Sequence, residues 1–242
     1  MRIAIVGNGR MGHTLAGLIE KEADMEVAGF VGPGDFGTLH ELLDACPADV
    51  AMDFSYPGNL QELLATAVAR GLPLVIGTTG YSPEQQDAIR NTKGIPIVWA
   101  DNYSTGIAVL LRLARMAAAA LNDFDIELVE THHNQKVDAP SGTAKAILKA
   151  IDPDNRYEKV AGRNGIVGAR GREIGVHAIR GGTVAGEHSL RFYGAKEEIE
   201  IRHRADSREI FANGALKAVR FVVNAKAGLY TMDDVLFGGE GV

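Results

Sequence analysis

The first part of the chain alternates between two hydrophobic patterns. Arg2–Gly7, Glu26–Val31, Asp49–Ser55, Leu72–Thr78 and Ile95–Asp101 are short runs rich in β-branched residues. Strands buried on both faces of a parallel sheet read this way. Between them, Met11–Glu22, Leu60–Arg70 and Pro83–Asn91 carry apolar residues at helical spacing. Ser82-Pro83-Glu84 has the N-cap and first-turn proline of a helix start. Strand–helix alternation with short connections predicts an open parallel α/β sheet.

The pattern then changes. It predicts a long helix over Gly106–Leu121, a strand over Asp125–Glu130 and a helix from Ser141 to about Ala150. Residues 152–173 are polar and rich in Gly and Arg, which predicts a long loop. Gly175–Arg180, Glu187–Tyr193 and Glu197–Ala205 follow as alternating segments. In the last of them Ile199, Ile201 and His203 fall on one face, and Glu198, Glu200, Arg202 and Arg204 on the other. That is the pattern of antiparallel sheet with one charged face. Residues 209–225 read as helix again. The expectation is a nucleotide-type α/β domain followed by an α+β domain, in keeping with 242 residues.

Composition narrows the partners. A net charge of −6 argues against nucleic acid or an anionic membrane, while leaving room for a locally basic pocket and an anionic substrate. Aromatic residues at 6% do not supply base-stacking platforms. Cys46 is the single cysteine, so no disulfide forms within the chain and no cysteine-based zinc site is expected. The N-terminal apolar run ends in glycines, and Ile107–Leu121 carries Arg112 and Arg115, so neither reads as a signal peptide or a membrane span. A reducing, cytoplasmic compartment is expected.

Two glycine loops and one polar run carry the candidate chemistry. Gly7, Gly9 and Gly12 form G-x-G-x-x-G between a predicted strand and a predicted helix, the context of a dinucleotide loop. The first glycine allows the tight turn, the second lets a pyrophosphate approach the backbone, and the third lets helix and strand pack closely. The acidic ribose ligand usual about 20 residues further on is replaced by the region of Gly32, with Asp35 the nearest carboxylate and no Arg beside it. The choice between NADH and NADPH is therefore left open. Gly77-Thr78-Thr79-Gly80 ends another predicted strand, and its backbone groups suit a carboxamide. Asp53–Pro57 and Asp101–Ser104 end the neighbouring strands, Tyr103 serving there either as a ligand contact or as a core aromatic.

The polar run is Glu127-Leu-Val-Glu-Thr-His-His-Asn-Gln-Lys-Val-Asp-Ala-Pro-Ser-Gly-Thr-Ala144. His132 and His133 point opposite ways on a strand, which makes them poor joint metal ligands, and no metal is expected. Ser141 follows a proline, heads a helix and lacks a G-x-S-x-G elbow, so an N-cap suits it better than a nucleophile. The helix start can bind a carboxylate through backbone N–H groups and the Thr143 hydroxyl. Lys136 adds a cation, and one of the two histidines can deliver a proton near neutrality. Such a pocket suits reduction of an unsaturated, anionic acid. Other nicotinamide-dependent dehydrogenases share the glycine loops without needing this pocket. A redox-sensing regulator would need neither His132 nor Lys136.

Together GNGRMG, DFSYP, IGTTG, DNYS and ETHHNQKVDAPSGTA resemble the 4-hydroxy-tetrahydrodipicolinate reductase family, and the likeness continues through IRGGTVAGEHSLRF and SREIFANGA. The resemblance implies a Rossmann-type domain over residues 1–104 completed by 209–242, and a central α+β domain over 105–208 that carries the substrate and tetramer contacts. It implies reduction of a small dicarboxylate in lysine biosynthesis through diaminopimelate, with NADH or NADPH as the cofactor. His132 would be the proton donor, and Lys136 the second donor and carboxylate anchor. His133, Gly142 and Thr143 would bind substrate. Gly7, Asn8, Gly9, Arg10, Met11 and Gly12 would hold the pyrophosphate. Gly77, Thr78 and Thr79, with Asp101, Asn102, Tyr103 and Ser104, would hold the nicotinamide end. The first loop is one residue shorter than in many members, and Asp101 stands where Ala or Pro is common.

Overall fold

The computed structural model describes residues 1–238. The chain divides into two compact units, Met1–Thr105 with Glu209–Val242, and Gly106–Arg208. The last four residues of the C-terminal segment expected to complete the first domain, 239–242, lie outside the described residues.

The first unit is built on a six-stranded parallel sheet. Its strands are β1 (Arg2–Val6), β2 (Glu26–Val31), β3 (Val50–Asp53), β4 (Leu74–Ile76), β5 (Pro96–Trp99) and β11 (Gly228–Tyr230). Their order is β11-β5-β4-β3-β1-β2, so the direction of winding reverses at β1. Helices α1 (Arg10–Ile19), α2 (Leu39–Ala45), α3 (Leu60–Arg70), α4 (Pro83–Asn91), α7 (Glu209–Val222) and α8 (Met232–Phe237) complete the unit. Ile3, Ala4 and Ile5 of β1 and Val50, Ala51 and Met52 of β3 are fully buried. This explains why these strands read as continuous apolar runs. Ser82 caps α4 with a reciprocal capping box to Gln85.

Several elements are additional to those predicted. Helix α2 is only one to two turns long, but Thr38 accepts from the Glu41 amide at its start and Leu39 and Leu42 are buried. A 3₁₀ turn over Pro57–Asn59, strand β11 and helix α8 are likewise too short to show a period. The predicted Met11–Glu22 helix ends at Ile19, and the predicted 209–225 helix ends at Val222.

The second unit carries α5 (Thr105–Ala120), which starts at the unit boundary, and α6 (Gly142–Ile151). These lie with a five-stranded sheet of order β10-β9-β6-β8-β7. The strands are β6 (Asp125–His132), β7 (Glu158–Val160), β8 (Glu173–Arg180), β9 (Gly186–Tyr193) and β10 (Glu198–Ala205). The sheet is mixed rather than antiparallel throughout, because β8 runs parallel to both β6 and β7. Strand β7 lies inside the predicted 152–173 loop. The Asp152 carboxylate fixes its approach by accepting from the Arg156 amide at 2.8 Å and the Tyr157 amide at 3.1 Å, and by pairing with Lys159.

One face of this sheet is graded along its strands. The first row across it is Ile174, Ile126, Phe192 and Ile199, and the next is Val176, Leu128, Leu190 and Ile201. Buried residues of α5 and α6, among them Leu110, Ala114, Ala144 and Ile147, share a core with the strand residues of these rows. The following rows turn ionisable: Glu130, His188 and His203, then His132 and Arg180. On the opposite face the charged residues of β10 have partners within the chain. Arg202 pairs with Glu187 at 2.7 Å, Glu200 with Arg191 at 3.2 Å, and Arg204 with Asp206 at 3.2 Å. Among the described residues no helix is long and apolar enough to cross a membrane.

Candidate active site

In the first unit the candidate groups lie at the C-terminal edge of the parallel sheet. Gly7 follows β1, and its φ of +109° is open to glycine but strained for other residues. A Cβ there would lie 2.5 Å from the Phe54 carbonyl oxygen, and one on Gly12 would lie 2.0 Å from the Gly7 oxygen. These two glycines therefore let the β1 and β3 turns and the first turn of α1 approach closely. Gly9, the N-cap of α1, differs: a Cβ there would meet nothing within 4 Å. The opening sits at a helix N-terminus beside the strand-order reversal, which is where an open α/β sheet takes an anion. The loop thus has the shape a dinucleotide pyrophosphate requires. Arg10 is exposed and Met11 half-buried at the start of the same helix.

Asn8 looks sideways. Its side-chain amide donates to the Pro33 oxygen at 2.5 Å and to the Asp35 carboxylate at 3.2 Å. It therefore ties the loop after β2 to the first glycine loop and holds Asp35 beside it. The next loops are also tied together. The Ser55 amide donates to Thr78 Oγ1 at 2.8 Å, and Gly77 packs beneath the Phe54 ring. The buried Asp53 carboxylate accepts from Ser55 Oγ at 2.5 Å and Tyr81 at 3.0 Å. Burial raises its pKa, and the hydrogen bonds from Ser55, Thr78 and Tyr81 oppose that rise.

Of the expected nicotinamide-end residues, Thr79 and Asp101 are exposed, whereas Thr78 and Ser104 are buried. The Asn102 side chain accepts from the Ser104 amide at 2.8 Å and shapes the turn after β5. Tyr103 is a core aromatic. Its ring is buried, and its hydroxyl donates to the carbonyls of Ile76 at 2.8 Å and Val98 at 3.0 Å. Gly214 of α7 lets that helix close on the Tyr103 carbonyl. The phenol is committed to the fold, so of the two uses open to Tyr103 the core aromatic is the one its side chain takes.

In the second unit the predicted strand extends two residues further, and this brings His132 onto its end. Glu130 and His132 share a face because they are two apart. Glu130 is fully buried and its carboxylate has four hydrogen-bond contacts. Arg180 Nη2 and the Ser141 amide reach Oε1 at 2.8 and 3.1 Å. Arg180 Nη1 and His132 Nδ1 reach Oε2 at 2.9 and 2.5 Å. Arg180 also donates to the Asp138 carbonyl at 2.6 Å, which holds the polar loop. That loop is further tied by the Asn134 amide to the Gly182 oxygen at 3.2 Å, and by the Gly181 amide to the His132 oxygen at 2.9 Å. His188 lies edge-on to His132 with ring centroids 5.2 Å apart, and its Nε2 is 3.2 Å from Ser141 Oγ.

Lys136 is half-buried in this loop and pairs with Asp138 at 2.7 Å. His133 is also half-buried and lies just past β6. Ser141 is the N-cap of α6, its hydroxyl accepting from the Ala144 amide at 3.1 Å, so its helix-starting role is the observed one. Gly142 is exposed at the first helical position, with open space where a Cβ would stand, and Thr143 follows it.

Burial dominates the titration of His132 and His188. It lowers the His132 pKa, the Glu130 hydrogen bond opposes that, and Lys136 and Arg180 lower it further. His188 is pushed down to about 4, by burial first and then by the His132, His203 and Lys136 charges. For Glu130, burial acts upward but is outweighed by Arg180, His132 and the Ser141 amide, and the carboxyl ends below its ordinary value.

Glu130, Arg180 and His188 received no role from the sequence. The pairing of Glu130 with His132 was legible in the two-residue strand period. Arg180 lies fifty residues from Glu130 and becomes its neighbour only through the β6–β8 register. Among the described residues no group of three or more His, Cys, Asp or Glu could hold a metal ion. The cavity of about 670 Å³ beside α6, lined by Pro140, Lys145, Leu148, Lys159, His177 and Ile179 among others, contains none of the predicted site residues.

Comparison with known proteins identifies the family. The family model described as dihydrodipicolinate reductase, N-terminus, matches residues 1–103, and that for the C-terminus matches residues 106–236. A 4-hydroxy-tetrahydrodipicolinate reductase of Caldanaerobacter subterraneus subsp. tengcongensis is 45% identical, over 99% of this chain and 99% of its own. Its counterpart in Brachyspira hyodysenteriae is 41% identical, over 98% of this chain and 100% of its own. Among solved structures, a dipicolinate-bound dihydrodipicolinate reductase from Paenisporosarcina sp. TG-14 superposes with a TM-score of 0.81 at 25% identity, covering 96% of this chain and 97% of that one. With both family models matched in order and whole-length relatives above 40% identity, the chain belongs to the dihydrodipicolinate reductase family.

Proposed function

We propose that this protein reduces 4-hydroxy-tetrahydrodipicolinate to tetrahydrodipicolinate in the diaminopimelate route to lysine. The observation that carries the reading is the second unit's cluster: a buried imidazole on a carboxylate, beside a lysine and the N-terminus of α6. Such a cluster suits a small dicarboxylate that must gain a proton. The similar Paenisporosarcina enzyme is described with dipicolinate bound.

When bound, a reduced nicotinamide dinucleotide supplies the hydride. The Gly7–Gly12 loop and the α1 N-terminus hold its pyrophosphate, with Arg10 and Met11 at its edge. Gly77, Thr79 and the backbone of residues 101–104 receive the nicotinamide end, while Thr78 and Asn102 shape those turns. Lys136, His133 and the head of α6 at Gly142 and Thr143 anchor the substrate carboxylates. His132 holds and delivers the proton with which the 4-hydroxyl leaves as water, so one hydride enters and one hydroxide departs. A bound dicarboxylate raises the proton affinity of His132 and opposes the lowering caused by burial.

NADH consumption with freshly generated substrate tests this. Turnover supports it, and cofactor binding without turnover on that substrate overturns it. Both NADH and NADPH should serve, with specificity constants within about tenfold, or about 1.4 kcal/mol. A thousandfold gap would show that a determinant of the choice exists, with Asp35 and Arg10 the first candidates to substitute. The working form is a cytoplasmic homotetramer assembled through the second unit, and light scattering at micromolar concentration should give four times the chain mass. A monomer mass would overturn that assembly.

A further inference from the structure

The hydrogen-bond geometry around Glu130 determines more than its own charge state. An ionised carboxylate offers about four lone-pair sites and no donor, and all four on Glu130 are occupied. Three of the partners, the two Arg180 nitrogens and the Ser141 amide, can only donate. A bidentate arginine keeps the carboxylate ionised, so the fourth partner, His132 Nδ1, also carries a hydrogen. The neutral imidazole is then bare at Nε2 and the cation carries its exchangeable proton there. Glycine at 186 keeps a side chain away from that atom, since a Cβ there would come within 3.1 Å of Nε2.

The same carboxylate reaches the head of α6 through the Ser141 amide. It thus holds the imidazole and the carboxylate-binding helix start in one fixed arrangement, with Arg180 fastening it to β8.

We infer that Glu130 is the positioning residue of the reaction, fixing His132 in its Nδ1–H form so that Nε2 exchanges the proton and setting that atom in register with the N-terminus of α6. This rests on the reaction proposed above. The charged and titratable groups facing the imidazole are Glu130 on β6, Arg180 on β8, His188 on β9 and Lys136 in the loop after β6.

Two measurements test it. In the ¹⁵N-histidine-labelled wild-type protein, long-range ¹H–¹⁵N correlation should show neutral His132 protonated at Nδ1, and protonation at Nε2 would overturn the inference. In Glu130→Gln, kcat should fall about a hundredfold, the scale of a mispositioned acid. The dissociation constant for NADH, read by fluorescence, should stay unchanged. Losing the carboxylate lowers the proton affinity of His132, so the alkaline limb of kcat should move to lower pH. A Glu130→Gln enzyme with wild-type kcat and pH profile would overturn the inference. If that variant does not fold, the wild-type tautomer decides. If the wild-type protein reduces none of the proposed substrate, the proposed reaction falls, while the tautomer still reports separately on the Glu130–His132 arrangement.

Discussion

The two units hold their candidate groups by opposite means. In the first, the backbone forms the receptor: Gly7 and Gly12 permit close approaches, Gly9 leaves a space, and a helix start faces it. In the second, side chains form the receptor, with one buried carboxylate holding an arginine, a histidine and a helix cap. A backbone site is sensitive to added atoms and indifferent to most side-chain deletions. A buried ionic site is sensitive to any missing partner, because the group left behind keeps its desolvation cost.

The sharpest test of this contrast is at the reacting group. His132→Ala should lower turnover roughly 10²–10⁴-fold with little change in dinucleotide affinity, and Lys136→Ala should weaken both substrate binding and turnover. Steady-state kinetics alongside NADH titration separates these outcomes, and near-normal turnover in both variants would remove the second unit from the chemistry. Glu130→Ala comes next. It strands Arg180 and should cost about 3–5 kcal/mol of stability, measured by denaturant unfolding. A loss below 1 kcal/mol would show that water replaces the carboxylate.

A smaller effect concerns acid. Folding lowers the His188 pKa from 6.5 to about 4, so the unfolded chain takes up its proton first as pH falls. The resulting stability is complete above pH 6.5 and is lost progressively down to about pH 4, amounting to about 3 kcal/mol. His132 and His203, also held below 6.5, act in the same direction. Glu130 loses its contribution lower, as pH falls from the ordinary carboxyl value through its depressed one. His188→Gln should flatten unfolding free energy against pH between 6.5 and 4, and an unchanged slope would place the acid sensitivity elsewhere. The smallest effects are expected in the first unit. Gly7→Ala should cost about 1–3 kcal/mol through backbone strain. Gly9→Ala should change stability by no more than about 0.5 kcal/mol while weakening NADH binding. Equal stability losses at the two glycines would remove the distinction between a structural glycine and one that leaves space for a ligand.

The same contrast explains what sequence alone could reveal. A backbone site is written locally: the glycines, the preceding strand and the following helix are contiguous, and the parallel sheet announced itself through short, continuously apolar runs. The second unit depends on register. Its polar run was legible as a reactive segment, and Ser141 as a cap, but the Arg180 partner required the β6–β8 pairing, and the parallel course of β8 had no signature in its alternation. Tyr103 shows the reverse difficulty. It sits in a loop that reads as ligand-binding, yet its hydroxyl spans two strand carbonyls, a use no local pattern distinguishes from contact with a cofactor. Helix α2 carried a usable sign in Thr38 and Glu41, but seven residues are too few for a period to stand out.

The position of α7 and β11 bears on how the protein is made. Helix α7 packs on β4 and β5, and β11 adds the last strand beside β5, yet both are encoded after the whole of the second unit. A chain leaving the ribosome at roughly 5–20 residues per second finishes β5 about ten seconds before α7 emerges. During that interval β5 has an unpaired edge while the whole of the second unit is being made. The first unit is therefore most exposed to mispairing while the second is being made, and the segment that ends the exposure is encoded only after it.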